Sequence, residues 1–163
     1  RRGELNMTVT NRSNDMIWGA YGANAVHMSV LLEYMAAMLG YAVGTYYQFS
    51  NNLHAYTDVL KKLEGMQADY EPYLTLAEDG LSYNPPSLVD DPDTFDQELQ
   101  EWFLDEARVT YNNVYLGTTC GNMRKSWRFW KSKNYQNAFH CANAIEDRAW
   151  RKACIEWLQR RIK

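Results

Sequence analysis

The sequence predicts an α+β chain in which a mixed sheet packs on a long buried helix and a mostly helical part follows. Three patterns carry that expectation. Leu5-Asn6-Met7-Thr8-Val9-Thr10 alternates and is rich in β-formers, as a half-buried strand is. Ala25, Met28, Leu31, Leu32, Met35 and Leu39 recur at helical spacing, and their apolar surface covers more than one face, as in a deeply buried helix. Tyr135, Ala138, Phe139, Ala142, Ile145, Ala149, Trp150, Ala153 and Trp157 repeat at three and four residues, opposite Glu146, Asp147, Arg151 and Arg160. That is the stripe of an amphipathic helix or a helical pair.

In chain order, the first strand gives way to the polar segment Asn11-Arg12-Ser13-Asn14-Asp15 and then to a loop with two glycines, Gly19-Ala20-Tyr21-Gly22. A helix spans residues 24–39, with Asn24 as its candidate cap and Gly40 as its stop. His27, inside it, reads as a satisfied core histidine. Residues 41–50 are aromatic and β-branched enough for a second strand, which Asn51-Asn52 breaks, and residues 53–63 form another helix. Gly80, Asn84-Pro85-Pro86 and Asp90-Asp91-Pro92-Asp93 punctuate residues 64–93 with turn signals. An acidic helix over residues 94–107 and a strand over 108–115 follow, and Trp127, Phe129 and Trp130 precede the C-terminal stripe. With no basic groove in view, a tryptophan-rich stripe is more simply core packing than a platform for stacked bases.

Bulk properties narrow the functional classes. At 163 residues the chain can bury about two thirds of its unfolded surface, enough for one core. A net charge of −3 gives no general electrostatic reason to hold a nucleic acid polymer. The basic C-terminal residues Arg160, Arg161 and Lys163 suit the end of a helix dipole. Cys120, Cys141 and Cys154 are widely spaced, odd in number and without a C-x-x-C pair, which argues against structural zinc and a disulfide framework and fits a reducing cytoplasm. No apolar run approaches the roughly 20 residues that span a bilayer. The opening Arg1-Arg2-Gly3-Glu4 carries no secretory pattern and leads straight into a strand, as though cut from something longer.

The chemistry-bearing residues cluster between Leu5 and Tyr56. Arg12 offers a permanently charged, forked donor suited to phosphate, and Ser13 adds a hydroxyl beside it. Asp15 is a nearby acceptor. Gly19 and Gly22 permit close backbone approach to a ligand. Asn24 both donates and accepts, which suits the edge of a pyrimidine ring. His54 and Tyr56, beside Asn52 at a strand-to-helix junction, are placed to hydrogen-bond a sugar hydroxyl. Taken singly, an Arg-Ser after a strand is an ordinary surface pair and a His-x-Tyr an ordinary structural one.

Taken together, Arg12-Ser13-Asn14-Asp15, Gly19, Asn24, the long helix, Val43-Gly44 and His54-Ala55-Tyr56 resemble the thymidylate synthase family. That family has a strand leading into Arg-Ser-x-Asp, a glycine and Phe-Asn, a helix, a Val-Gly-Asp strand and His-x-Tyr. The interval from Asn24 to His54 is that of the family, and the one length difference is an extra residue between Gly19 and Asn24. The resemblance covers about residues 3 to 63 and implies a thymidylate synthase-like fold. Residues 1–63 would be the nucleotide-binding core, and 64–163 a divergent, mostly helical part of the same domain. It also implies roles: Arg12 and Ser13 for the 5′-phosphate of dUMP or a related deoxypyrimidine monophosphate, and Asn24 for the uracil edge. His54 and Tyr56 would hold the 3′-hydroxyl, and Asp15 and Gly19 would lie at the reduced folate, 5,10-methylenetetrahydrofolate, as co-substrate. A homodimer through a sheet face is implied too.

Departures accompany the likeness. The family's nucleophilic cysteine lies about twenty residues before Arg-Ser, so it is expected upstream of Arg1, and no catalytic residue is expected within this chain. Gly-Ala-Tyr-Gly-Ala-Asn stands for Gly-Leu-Pro-Phe-Asn, Asn52 stands where aspartate is common, and residues beyond Gly65 do not follow the family's ending. This pattern points to a specialised branch such as the phage-type synthases and pyrimidine hydroxymethylases. The leading expectation is therefore part of a folate-dependent enzyme that methylates or hydroxymethylates C5 of dUMP, inactive as this chain alone. Two other readings stay open: a non-catalytic nucleotide-binding module, or half of a split enzyme, and a helical interaction domain centred on the C-terminal tryptophans.

Overall fold

The structure is a computed structural model that describes residues 3–65, 85–104 and 110–162. The chain forms two compact units, Arg1–Ala68 and Asp69–Lys163. The first runs β1 (Glu4–Asp15), a π-helical turn (Met16–Ala20), α1 (Ala23–Leu39), β2 (Ala42–His54) and the short α2 (Thr57–Lys61). The second runs α3 (Pro92–Leu104), a π-helical turn (Tyr115–Cys120), α4 (Gly121–Lys131), α5 (Tyr135–Asn143) and α6 (Arg148–Arg161).

In the first unit β1 and β2 pair in parallel, from Glu4 opposite Ala42 to Asp15 opposite His54. Parallel neighbours need a crossover, and α1 supplies it. Among the described residues the sheet has these two strands and is purely parallel, not mixed as expected. A register shift lies between Leu5 and Met7, where the backbone N–H of Thr45 donates to Asn6 Oδ1 at 2.7 Å. Both strands outrun their sequence signals. Asn11 to Asp15 continue β1, and Asn51-Asn52 do not break β2, because each polar tail finds its backbone partners in the other. Paired N–H and C=O groups outweigh weak β-propensity.

Helix α1 ends as expected: Gly40 adopts φ 72° and its N–H turns back to the last carbonyls. Its start differs. Gly22 precedes the first turn without a side-chain cap, and Asn24 lies inside the helix. Its burial differs more. Only Leu32 and Ala36 are buried, while Val26, Val30, Leu31, Met35, Met38 and Leu39 are 38–53% exposed, and His27 is exposed rather than a core residue. The cause is width: two strands about 4.8 Å apart cannot cover more than one stripe of a helix about 10 Å across. Helix α2 is five residues long, not eleven, because Leu53 and His54 remain in β2.

In the second unit Ala138, Ala142, Ile145 and Leu158 form the core, with Phe129, Trp130, Phe139 and Trp157 packed on it. Trp130 meets Trp157 edge to face at 4.8 Å between centroids. The buried Ser126 hydroxyl donates to the Ala138 carbonyl at 2.9 Å and ties α4 to α5. Asn134 caps α5, and Asp147 caps α6 by accepting from the Trp150 N–H at 2.9 Å. The C-terminal stripe is thus a helical pair. At α3, Asp91 accepts from the Thr94 N–H, and hydrogen bonds from the Thr94 side chain and backbone hold its carboxyl below the usual value.

The turn signals at Gly80 and Asn84, the end of the expected acidic helix and the first two residues of the strand expected over 108–115 lie outside the described residues. From Thr110 onward no strand forms. The N–H groups of Asn112 and Asn113 donate to the buried Glu98 carboxylate at 2.6 and 2.8 Å, Asn113 Nδ2 donates to the Leu88 carbonyl, and Asn113 Oδ1 accepts from the Leu116 N–H. Side chains have taken the bonds that a ladder would have used. Removing the Glu98 carboxylate would strand the buried Asn113 N–H and take the part-buried Asn112 N–H from its partner. Glu98→Ala is expected to lower unfolding stability by about 3 kcal/mol, read from urea denaturation, with the m-value unchanged.

Candidate functional site

Because β1 and β2 run parallel, their carboxyl ends emerge at the same end of the sheet. That brings the Arg12 segment beside the His54 segment, Ser13 lying opposite Asn52 and Asp15 opposite His54. Carboxyl ends of parallel strands are where open α/β sheets hold ligands. Burial alternates inward at Leu5, Met7, Val9 and Asn11, then slips: Arg12 and Ser13 are both exposed and Asn14 is buried. The slip turns two neighbouring polar residues outward at one place.

Ser13 Oγ lies 3.3 Å from His54 Nδ1. When the ring carries its proton on Nε2, the hydroxyl donates to Nδ1 and Nε2–H is left for a ligand; in the other tautomer Nδ1–H donates to Oγ. The His54 ring meets Tyr56 edge to face with centroids 5.4 Å apart, and Tyr56 is 55% exposed. The Arg12 side chain makes no hydrogen bond or ion pair among the described residues, so its guanidinium is available to an anion. Asp15 caps the following π-helical turn, its Oδ1 accepting from the Trp18 N–H. Trp18 within that turn and Tyr21 at its end are 67% and 78% exposed.

Behind this edge lies a buried network that the motif reading missed. Asn14, 2% exposed, donates through Nδ2 to Gln48 Oε1 at 3.2 Å and to Ser50 Oγ at 3.3 Å, and its Oδ1 accepts from Asn24 Nδ2 at 3.0 Å. Gln48 Nε2 donates onward to the Ala20 carbonyl at 2.7 Å. One signal was available: Gln48 falls on the inward phase of an alternating strand, where a polar side chain needs a partner. Asn24 is thus partly committed, its Oδ1 and second Nδ2–H remaining without a partner among the described residues. Gly19 has a packing reason to be glycine, because a Cβ there would lie 2.0 Å from Asn14 Oδ1 and 3.0 Å from Asn24 Nδ2.

The structure therefore brings Ser13, His54 and Tyr56 together, sets Arg12 and Asp15 on the adjoining strand end, and ties Asn24 to that edge through Asn14. No group of three or more His, Cys, Asp or Glu able to hold a metal ion occurs among the described residues. The cysteines belong to the other unit, and none suits nucleophilic work. Burial pushes the Cys120 thiol up to about 11, and burial also raises Cys154 and Cys141, the latter against the opposing pull of Lys125. None of the described helices is long and apolar enough to cross a membrane.

Two measurements follow from this geometry. Gly19→Ala is expected to push Asn14 off Asn24 and cost on the order of 2 kcal/mol, measured by denaturant titration. A thermally silent Gly19→Ala would mean that the Asn14 network is slack. At about pH 8, a thiol titrating near 11 instead of 9 holds roughly a hundredfold less thiolate, so Cys120 should alkylate with iodoacetamide at least that much more slowly folded than unfolded.

A family model described as thymidylate synthase matches residues 1–103. The chain is 37% identical over 174 aligned residues to the deoxyuridylate hydroxymethyltransferase of Pseudomonas phage M6, an alignment covering 98% of this chain and 48% of that protein. It is 40% identical over 95 residues to the deoxyuridylate hydroxymethyltransferase of Bacillus phage SP01, covering 52% of this chain and 25% of that protein. The thymidylate synthase of Symbiobacterium thermophilum is 37% identical over 71 residues, covering 44% of this chain and 24% of that protein. The chain thus spans about half the length of the first of these relatives and a quarter of the other two. No solved structure matches.

Proposed function

The chain belongs to the thymidylate synthase family, and from that premise we propose that it carries the nucleotide-holding edge of an enzyme that transfers a one-carbon unit to C5 of dUMP. The observation that carries this reading is the approach of Ser13 to His54, residues 41 apart in sequence, at the shared carboxyl end of two parallel strands. A nucleoside monophosphate needs a cation and hydroxyl for its phosphate and a separate donor pair for its sugar. Arg12 and Ser13 supply the first, and His54 and Tyr56 the second. Asn24, with its Oδ1 and one Nδ2–H uncommitted, is the residue for the edge of the base.

Asp15 is the residue proposed to hold a reduced folate. Its Oδ1 is spent on the Trp18 N–H, its second oxygen has no partner among the described residues, and the turn that it caps carries the exposed Trp18, a ring type that suits a flat pterin. When bound, 5,10-methylenetetrahydrofolate would supply the one-carbon unit. Gly19 would serve this edge indirectly, by letting Asn14 and Asn24 meet. Covalent activation of C5 needs a thiolate. The cysteines of this chain, whose thiols burial pushes up, do not meet that need, so the chain alone is proposed to bind without turnover. A homodimer belongs to the same reading, with the alternate exposed residues Val43, Tyr47 and Phe49 of β2 as its apolar sheet face. So does a cytoplasmic setting, with which three free cysteines accord.

Hydroxymethyl transfer is favoured over methyl transfer. The family model ends at residue 103, whereas the phage M6 hydroxymethyltransferase aligns over 98% of the chain and so reaches into the C-terminal helices. Calorimetric titration with dUMP tests the site. Arg12→Ala should weaken binding by about 1.5–3 kcal/mol, tenfold or more. Wild-type affinity in Arg12→Ala would remove Arg12 from the phosphate, and release of the C5 hydrogen of dUMP by the isolated chain would defeat the proposal that it lacks its nucleophile.

A further inference from the structure

The formal charge of −3 conceals a segregation. Residues 121–163 hold eleven of the seventeen Lys and Arg but only three of the twenty Asp and Glu, a net +8 against −11 in the residues before them. The expectation that nothing here attracts a polyanion came from the average, and the average hides a basic C-terminal stretch inside a unit, Asp69–Lys163, whose own total is −3.

Within that basic part, α4 and α6 line a half-open pocket of about 340 Å³, walled by Met123, Trp127, Trp150, Cys154, Trp157 and Leu158 among others. Its wall is almost wholly apolar, since the Ser126 hydroxyl at its edge is spent on the Ala138 carbonyl. Cations stand on two of its three indoles: Lys131 Nζ lies 5.6 Å from the Trp127 centroid, and the Arg161 guanidinium 4.3 Å from that of Trp157. Core packing accounts for Trp157, which meets Trp130. It does not account for Trp127 and Trp150, which remain 52% and 37% exposed.

We propose that this α4–α6 face binds single-stranded nucleic acid, with a base entering the tryptophan-lined cavity and neighbouring phosphates lying on the basic residues of the two helices. Charge and cavity together choose this occupant. An acidic peptide would answer the charge but presents flat rings only at occasional side chains, not one beside every charge. A duplex would answer the charge but keeps its bases stacked inside. A neutral aromatic molecule would fill the cavity and leave the cations unanswered. An unpaired strand presents phosphate and π-face at the spacing of one nucleotide, and indole stacking accepts any base. This site shares no residue with the Arg12–His54 edge and does not depend on its reading.

The test uses the intact chain and a fluorescein-labelled single-stranded DNA of about 15 nucleotides. Anisotropy and indole emission are followed in about 50 mM and then about 200 mM salt. Saturable binding with quenched tryptophan emission is expected, weakening at least tenfold between the two salts. Trp127→Ala and Trp150→Ala should each weaken it at least fivefold at both salts, and Trp127→Phe, which keeps a ring, should restore most of the loss. Circular dichroism of each variant guards against unfolding. Lys131→Gln with Arg161→Gln should flatten the salt dependence instead. Absence of binding at low salt would overturn the proposal. So would equal competition by duplex DNA or polyglutamate together with silent tryptophan variants, which would describe a face that reads charge alone, as an acidic protein would.

Discussion

The parallel ladder between β1 and β2 is the constraint on which the first unit depends. A parallel pair cannot be closed by a hairpin, so its existence demands a crossover, and α1 is that crossover. The same polarity puts both carboxyl ends at one edge, so segments 41 residues apart come within hydrogen-bond reach. Asn14 then couples the ladder to the helix. By donating to Gln48 and Ser50 on β2 and accepting from Asn24 on α1, one carboxamide holds three elements at the point where the polar edge begins. An unsatisfied amide there would cost more than the bonds are worth individually, and that asymmetry makes a small network decisive.

Much of this was legible. The alternation of residues 5–10, the periodicity of α1, its glycine stop and the helical spacing of the C-terminal stripe all rest on local pattern, and all recur in the structure. The family resemblance read from Arg12-Ser13, Asn24 and His54-Ala55-Tyr56 agrees with the family match over residues 1–103. What local pattern could not supply was partnership. Polar residues at the ends of β1 and β2 look like loop until each is seen to be the other's ladder. Asn24 looks like a cap until Asn14 claims it. Hydrophobicity all round α1 looks like deep burial, but burial also requires something wide enough to cover it, and the width of a sheet is not written in the helix.

The second unit shows the same lesson from the other side. Residues near Thr110 have strand-like composition, yet the buried Glu98 carboxylate gathers their N–H groups and closes off a ladder. A carboxylate fourteen residues away is invisible to a propensity window. The tryptophans were visible as a stripe, but which of them would pack inside and which would rim a cavity depends on how the helices meet, a tertiary matter.

The separation of partners in the β1–β2 ladder, 38 residues at one end and 39 at the other, also bears on how the unit comes into being. Closing so large a loop before any contact rewards it makes the ladder a late and slow event. Helix α1 has only local contacts to make and can form early, so it must wait with its apolar surface bare until the strands arrive. Even after they arrive, six of its large side chains stay substantially uncovered. The interval before strand closure is therefore when this chain is most exposed to aggregation, and its yield on refolding should be governed by concentration and time more than by final stability.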